Sequence, residues 1–233
     1  MIPKTIHYCW FGKGKKPVKA RKCIASWYKL CPDYKIVEWN ESNFDINMSE
    51  YTKFCYENKK YAYLSDYVRL WAVYNYGGIY LDTDVEIIKA LDELLEDEAY
   101  FGFENDSYVA SGLGFGAKKG NKVLAAMIAE YDLSARKATG CPRLNTDALL
   151  KLGLELNGQE QVICGARIYP QDYFNPYDEL TGRLKKTKNT YSIHWFTGSA
   201  MDKKVVMLNN LVKPIRRIFG SKFTAKIKAL LKR

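Results

Sequence analysis

The chain has 233 residues, of which 47% are hydrophobic and 14% aromatic, so it is long enough to bury a real core as one large domain. Its net charge of +10 is concentrated: residues 203–233 hold ten Lys or Arg and no acid, leaving 26 basic and 26 acidic side chains in residues 1–202. A neutral body argues against a folded face built to coat nucleic acid, and no stretch approaches the roughly 20 apolar residues of a spanning helix. Six cysteines form no C-x-x-C pair, and the first residues lack the apolar core of a signal peptide, so the expectation is reduced thiols in a cytoplasmic protein.

In chain order, "KTIHYCWF" (4–11) predicts a strand that ends at the turn-forming "GKGKKP". A helix follows from Pro17 to about Leu30, with Ala20, Ile24 and Trp27 at helical spacing, and then a strand at 34–39. Ser49 is placed to cap a helix over 50–56. The next helix carries Leu64, Val68, Trp71, Ala72 and Tyr76 on one stripe and stops at Gly77-Gly78. "IYLDTDV" reads as a buried strand with acids at its carboxyl end, the α/β location where ligands gather.

Strands are expected at 99–105 and 111–117, helices at 122–133 and 145–156, and late strands at 161–170 and 190–196. The tail repeats apolar residues at helical spacing from Leu208 to Leu231 with Lys and Arg between them. Pro214 is placed to start a second helix there, and Gly220 to loosen it. An apolar stripe flanked by basic residues suits an anionic membrane surface, and a helix packed on the body with a solvated basic face is the alternative.

Residues two apart in an extended segment face the same way, so Asp82 and Asp84 can share one space and grip a hard cation. A bare D-x-D is more often a polar turn; the apolar "GGIYL" lead-in is what raises this one. Asp66 and Arg69, three apart among core-like residues, form either a surface ion pair or a buried pair with a ligand. Of the two histidines, His7 reads as a hydrogen-bonded core residue, whereas His194 can complete a site for Mn²⁺ with the two acids. The loop "ENDSY" (104–108) is a candidate sugar contact that an exposed turn explains equally well.

The stretches "IPKTIHYCWFG" (2–12), "SDYVRLWAVYNYGGIYLDTDV" (65–85) and "IHWFTGS" (193–199) resemble the DXD-containing sugar transferases of glycosyltransferase family 32. That family includes fungal initiating mannosyltransferases and many bacterial capsular polysaccharide transferases, and its core is similar to the glucosyltransferase domain of large clostridial cytotoxins. The resemblance, which covers roughly residues 1–200, implies a GT-A type α/β fold, taken as the domain 1–202; residues 203–233 are set apart by their own pattern as a basic amphipathic membrane-associating tail. The resemblance also implies a nucleotide-sugar donor, a divalent metal (Mn²⁺ or Mg²⁺) and retention at the anomeric carbon.

By motif, the resemblance places Trp10 on the nucleotide base, Asp66 and Arg69 on the donor sugar, Tyr80 near the nucleotide, and Asp82 on ribose or sugar and on the metal through water. It makes Asp84 and His194 direct metal ligands and Ser199 a diphosphate contact. The chain departs from the family at Ala200, where Trp is common, and in "ATGCPRLNT" (138–146), where a cysteine enters a Thr-Gly-Pro stretch.

The expectation is a hexosyltransferase (galactose, glucose or an N-acetyl form) that uses a UDP-sugar and serves a lipid-linked or surface polysaccharide acceptor at the inner face of the cell membrane. Two other readings compete with it. A haloacid dehalogenase-like phosphatase also places D-x-D at a strand end but carries Thr or Val where this chain has Glu86, and a nucleic-acid or anionic-lipid binding module would act through the tail alone.

Overall fold

The computed structural model describes residues 1–138, 140–197 and 203–219. The first half runs β1 (Thr5–Cys9), α1 (Val18–Leu30), β2 (Lys35–Trp39), α2 (Glu50–Glu57), α3 (Tyr61–Tyr76), β3 (Gly78–Tyr80), β4 (Val85–Ile87), β5 (Ala99–Asn105), β6 (Tyr108–Val109) and β7 (Phe115–Ala117). The second runs α4 (Lys122–Ala129), α5 (Cys141–Lys151), β8 (Gln161–Ile163), β9 (Ala166–Tyr169), α6 (Gln171–Phe174), β10 (Tyr177–Asp178), β11 (Arg183–Leu184), β12 (Ser192–His194) and α7 (Lys203–Phe219).

The main sheet is ordered β2-β1-β3-β7-β5-β9-β8, with β6 added on β5. β1 pairs parallel with β2 and β3, β5 pairs parallel with β9, and β7 joins β3 to β5 antiparallel to both. Five strands, β2, β1, β3, β5 and β9, therefore point the same way and end on one edge. Helices α2 to α5 share one apolar cluster with the sheet, while α1 and α6 share a second one. This is the expected mixed α/β fold with helices flanking a central sheet.

Local chemistry explains the main boundaries. Ser49 accepts from the Thr52 backbone N–H while Thr52 Oγ1 accepts from Ser49 N, a reciprocal cap that starts α2 as expected. Helix α3 stops because Gly77 and Gly78 take φ of +69° and +116°. A Cβ on Gly78 would stand 2.6 Å from the Thr5 carbonyl oxygen, so glycine lets β3 lie directly against β1. His7 is the expected core histidine: Trp39 Nε1 donates to its Nδ1 at 3.1 Å, which leaves Nε2 to donate to the Gly77 carbonyl at 2.9 Å.

Several elements differ from expectation. "IYLDTDV" is two strands in different sheets, separated by a turn in which Val85 N donates to Asp82 O at 2.9 Å. Residues 111–113 form a 3₁₀ turn, and only 115–117 pair as a strand. The helix expected at 145–156 begins at Cys141, because Pro142 suits a first turn and Asn145 is buried inside it rather than capping it. The helix at 122–133 ends at Ala129. The single strand expected at 161–170 is a hairpin whose turn residues Cys164 and Gly165 both have positive φ, +49° and +83°. In the tail, α7 runs through Pro214 without a second start, and residues 220–233, with Gly220, lie outside the described residues.

Candidate active site

The site begins with α3. Arg69 is 4% exposed, and its Nη2 lies 2.8 Å from Asp66 Oδ1 and 3.1 Å from Asp82 Oδ1. Its Nε donates to the Ser65 carbonyl, and the guanidinium stands 5.0 Å from the centre of the Tyr80 ring. Tyr80 donates its hydroxyl to Asp82 Oδ1 at 2.9 Å. Both ordered partners of Asp82 thus hold one oxygen, which leaves Oδ2 for other work. Gly112, in the 3₁₀ turn, packs on this pair: a Cβ there would come within 2.8 Å of Asp82 Oδ2 and 3.0 Å of Arg69 Nη1.

Asp84 is fixed from the other end of the chain. β12 pairs antiparallel with β4, with His194 opposite Val85, and this register delivers the imidazole to the acids. His194 Nε2 lies 3.1 Å from Asp84 Oδ1, while Asp84 Oδ2 accepts from Thr197 N at 2.8 Å and Thr197 Oγ1 at 2.9 Å. Trp195 N donates to the Asp84 carbonyl, and Trp195 Nε1 to Glu86. Beneath, the buried Trp27 donates Nε1 to the Val85 carbonyl and Ser26 Oγ accepts from Ile87 N, so α1 buttresses β4.

One ligand atom each from Asp82, Asp84 and His194 lie within 4.8 Å of one another. The two acids converge because they occupy the first and third positions of a β-turn, not because they alternate along a strand, which corrects the expected reason while keeping the expected pair. Two carboxylates and an imidazole suit Mn²⁺, and the surrounding donors are already in place: Thr197 on Asp84, Tyr80 and Arg69 on Asp82. The buried Nδ1 of His194 has no hydrogen-bond partner among the described residues.

Burial penalises the Asp84 carboxylate, but His194 and the Thr197 donors outweigh it and hold its pKa well below the usual value. Burial likewise disfavours the His194 imidazolium, and Asp84, followed by Asp82 and Glu104, reverses this and raises its pKa above 6.5. Burial pushes Asp66 up to about 6 despite Arg69, and pushes Asp82 up as well.

Trp10 follows β1 on the same edge; it is half-buried, with Nε1 donating to the Gly14 carbonyl and Lys16 over its ring. Ser199 lies outside the described residues, as does Ala200. Thr197 and Gly112 were not singled out from the sequence. Thr197 sits inside the quoted "IHWFTGS" but acts partly through its backbone, and Gly112 acts by lacking a side chain, so neither leaves a side-chain signature.

Residues 17–101 match the family model described as "Glycosyltransferase sugar-binding region containing DXD motif". Inositol phosphoceramide mannosyltransferase 3 of Schizosaccharomyces pombe is 34% identical over 131 residues, which is 54% of this chain and 36% of that protein. A mannosyl phosphorylinositol ceramide synthase of Saccharomyces cerevisiae is 34% identical over 107 residues, 43% of this chain and 27% of that protein. The chain thus aligns with about a third of the length of these relatives. A solved glycosyltransferase involved in glycosylation of the major capsid of PBCV-1 superposes with a TM-score of 0.50 over 88% of this chain and 98% of that one, at 12% identity, a likeness of fold. The chain therefore carries, over residues 17–101, a DXD-containing sugar-binding region of the glycosyltransferase kind, and it is similar in sequence to mannosyltransferases.

Proposed function

We propose that the chain transfers a hexosyl group (galactose, glucose or an N-acetyl form) from a UDP-sugar, with retention, to a lipid-linked or surface polysaccharide acceptor. The observation that carries this reading is the convergence of Asp82, Asp84 and His194 beside the buried Asp66–Arg69 pair. Asp84 and His194 would hold Mn²⁺, with Asp82 presenting Oδ2 beside them; Mg²⁺ suits the oxygens but not the imidazole as well. When bound, the metal would supply Lewis-acid stabilisation to the leaving diphosphate.

The protein's own groups do the rest. Arg69 is held rigid by Ser65, Asp66 and Asp82, so its positive charge is preorganised beside the place where phosphate charge develops. Asp66 and Arg69 orient the donor sugar, Tyr80 fixes Asp82, and Trp10 offers an aromatic face for the base from the end of β1. Ser199 completes the proposed diphosphate contacts. In this reading the acceptor hydroxyl attacks from the face the diphosphate leaves, and the leaving phosphate takes its proton.

The acceptor is proposed to lie at the inner, cytoplasmic face of the cell membrane, reached through residues 203–233. Ten basic and no acidic residues in that segment support this, as do the exposed Met207, Leu211, Ile215 and Ile218 of α7. No helix among the described residues is long and apolar enough to cross a membrane. A second reading, mannosyl transfer to an inositol-bearing lipid, is supported by what the relatives are called.

A calorimetric panel of UDP, GDP, CDP and their sugar conjugates, each with Mn²⁺ and with EDTA, separates these readings. Metal-dependent binding of UDP and one UDP-hexose supports the first, and a response confined to a mannosyl donor and its nucleotide supports the second. Silence from folded protein across the panel overturns both.

A further inference from the structure

The parallel strands carry more than the DXD turn to their shared edge. β5 runs the same way as β1 and β3, so its carboxyl end, Glu104 and Asn105, emerges on the edge that holds Asp82 and Asp84. There β5 bulges: Phe103 pairs with Val109 and Asn105 with Tyr108, so Glu104 is the extra residue. Bulges beside functional sites re-aim a side chain. Glu104 is half-buried, and its carboxylate has no hydrogen-bond partner among the described residues, while its carbonyl accepts from Asn175 Nδ2 at 2.8 Å. Burial raises its pKa, and the charges acting on it are His194 and Glu179.

β9 ends on the same edge and leads into α6, which packs so closely on β5 that a Cβ at Gly102 would come within 2.5 Å of the Phe174 ring. Beyond it lies a cleft of about 560 Å³ lined by Gln171, Asp172, Asn175, Asp178, Arg183 and Lys185. Its wall at Gly158 approaches Asp106, next to the bulge. Tyr177, between the lining residues Pro176 and Asp178, packs on Trp195, 5.2 Å between ring centres, next in sequence to His194. The cleft is thus tied to the metal triad through Asn175 and Glu104 and again through Tyr177 and Trp195.

Within the cleft, Asp172 is engaged by Thr187, Asp178 by Thr181, and Arg183 by the Arg217 carbonyl. The side chains of Gln171 and Lys185 have no hydrogen-bond or ion-pair partner among the described residues. An amide and an ammonium uncommitted in a polar cleft, together with the uncommitted carboxylate of Glu104, whose carbonyl is held by Asn175 of the cleft wall, match the mixed donors and acceptors of a hydroxyl-rich ligand. We propose that the acceptor saccharide lies in this cleft and that Glu104 accepts a hydrogen bond from its attacking hydroxyl. This rests on the transferase reading above. The hydroxyl oxygen bonds the anomeric carbon, the anomeric carbon–phosphate oxygen bond breaks with its pair on the diphosphate, and the proton goes to the leaving phosphate. Glu104 orients the hydroxyl and ends unchanged.

The test uses the full chain with UDP-hexoses, Mn²⁺ and octyl mannoside, galactoside and glucoside as probes. Saturation-transfer NMR of the octyl glycosides should show sugar-ring contact with the wild type that Lys185→Ala weakens. In turnover, Glu104→Gln should raise the glycoside KM about tenfold, the difference between a charged and a neutral acceptor, and leave donor affinity within about twofold. Lys185→Ala should raise the glycoside KM without lowering kcat. Wild-type glycoside kinetics in Glu104→Gln, equal loss of donor binding, or no ring contact for any glycoside overturns the inference. If no nucleotide binds with Mn²⁺ while the glycosides still do, the transferase reading fails and the saccharide cleft stands.

Discussion

His194 Nε2 and Asp84 Oδ1 lie 3.1 Å apart across the pairing of β12 with β4, and each sets the other's protonation. Without metal, His194 keeps its proton above pH 6.5, and a metal must displace that proton to use the imidazole. Mn²⁺ affinity should therefore rise about tenfold per pH unit until pH passes the raised His194 pKa, then level off. Calorimetry between pH 6 and 9 reads this directly; a flat profile would remove His194 from the ligand set.

The same groups set the stability of the metal-free protein. Asp66 has a raised folded pKa, about 6 against 3.8, so its contribution is full below 3.8 and lost as pH rises through 6. His194, also raised, contributes fully below 6.5 and loses that contribution as pH climbs through its folded value. Asp84, lowered, acts the other way, contributing above 3.8 and failing only in acid. Below pH 6.5 the loss from Asp66 is opposed by His7, whose pKa burial lowers, but above 6.5 His194 acts alone among these groups, so Tm in EDTA should fall from pH 6.5 upward, and Mn²⁺ should flatten the decline.

Gly112 gives the sharpest steric prediction. Its backbone does not need glycine, because it lies outside the left-handed positions of the chain, yet a Cβ would press on Asp82 Oδ2 and Arg69 Nη1. Gly112→Ala should therefore fold with a modest fall in Tm and lose at least about tenfold in Mn²⁺-dependent nucleotide affinity, the scale of disturbing a ligand's supporting shell. Unchanged affinity would mean that the acid and the guanidinium move aside without consequence.

Much of the site was legible because its chemistry sits in side chains at short spacing: Asp66 with Arg69 along one helix, Asp82 with Asp84 across one residue. The glycine stop at Gly77-Gly78 and the Ser49 cap were legible for the same reason, since each is a local solution to a backbone problem. What brings His194 to Asp84 is a pairing between residues about 110 apart, and the triad's convergence depends on a turn that the apolar "IYL" run disguised as continuing strand. The hairpin at Cys164-Gly165 was hidden because Cys rarely marks a left-handed turn position. The cleft beside α6 drew no expectation at all: its walls come from a Pro- and Asp-rich stretch that reads only as loop.

Arg69 tests the energetics of the buried network. Removing it strands Asp66 and Asp82 together in a half-buried space, so Arg69→Ala should cost about 3–5 kcal/mol in urea unfolding. Arg69→Lys should recover part of that stability but little donor affinity, since an ammonium cannot reach both carboxylates, keep the Nε bond to the Ser65 carbonyl and lie flat over Tyr80 at once. Equal affinity in the lysine variant would reduce Arg69 to a structural counter-ion.

The tail prediction follows from how α7 is held. Lys213 reaches the Tyr177 hydroxyl at 3.3 Å and Arg183 donates to the Arg217 carbonyl, so the β10–β11 hairpin takes one side of the helix. Met207, Leu211, Ile215 and Ile218, spaced four, four and three apart, stay exposed, with Ile218 at 76%. Such a stripe, beside Arg216 and Arg217, would bury its apolar side chains in an anionic bilayer, each contributing up to about 1.5–3 kcal/mol. Leu211→Asp with Ile215→Asp should therefore weaken binding to phosphatidylserine vesicles by at least about tenfold while leaving metal-dependent nucleotide binding intact. The wild-type interaction should also weaken with salt, because part of it is charge on charge. If the double variant still sediments with vesicles as the wild type does, the stripe is not the contact, and the basic residues beyond 219 become the segment to delete next.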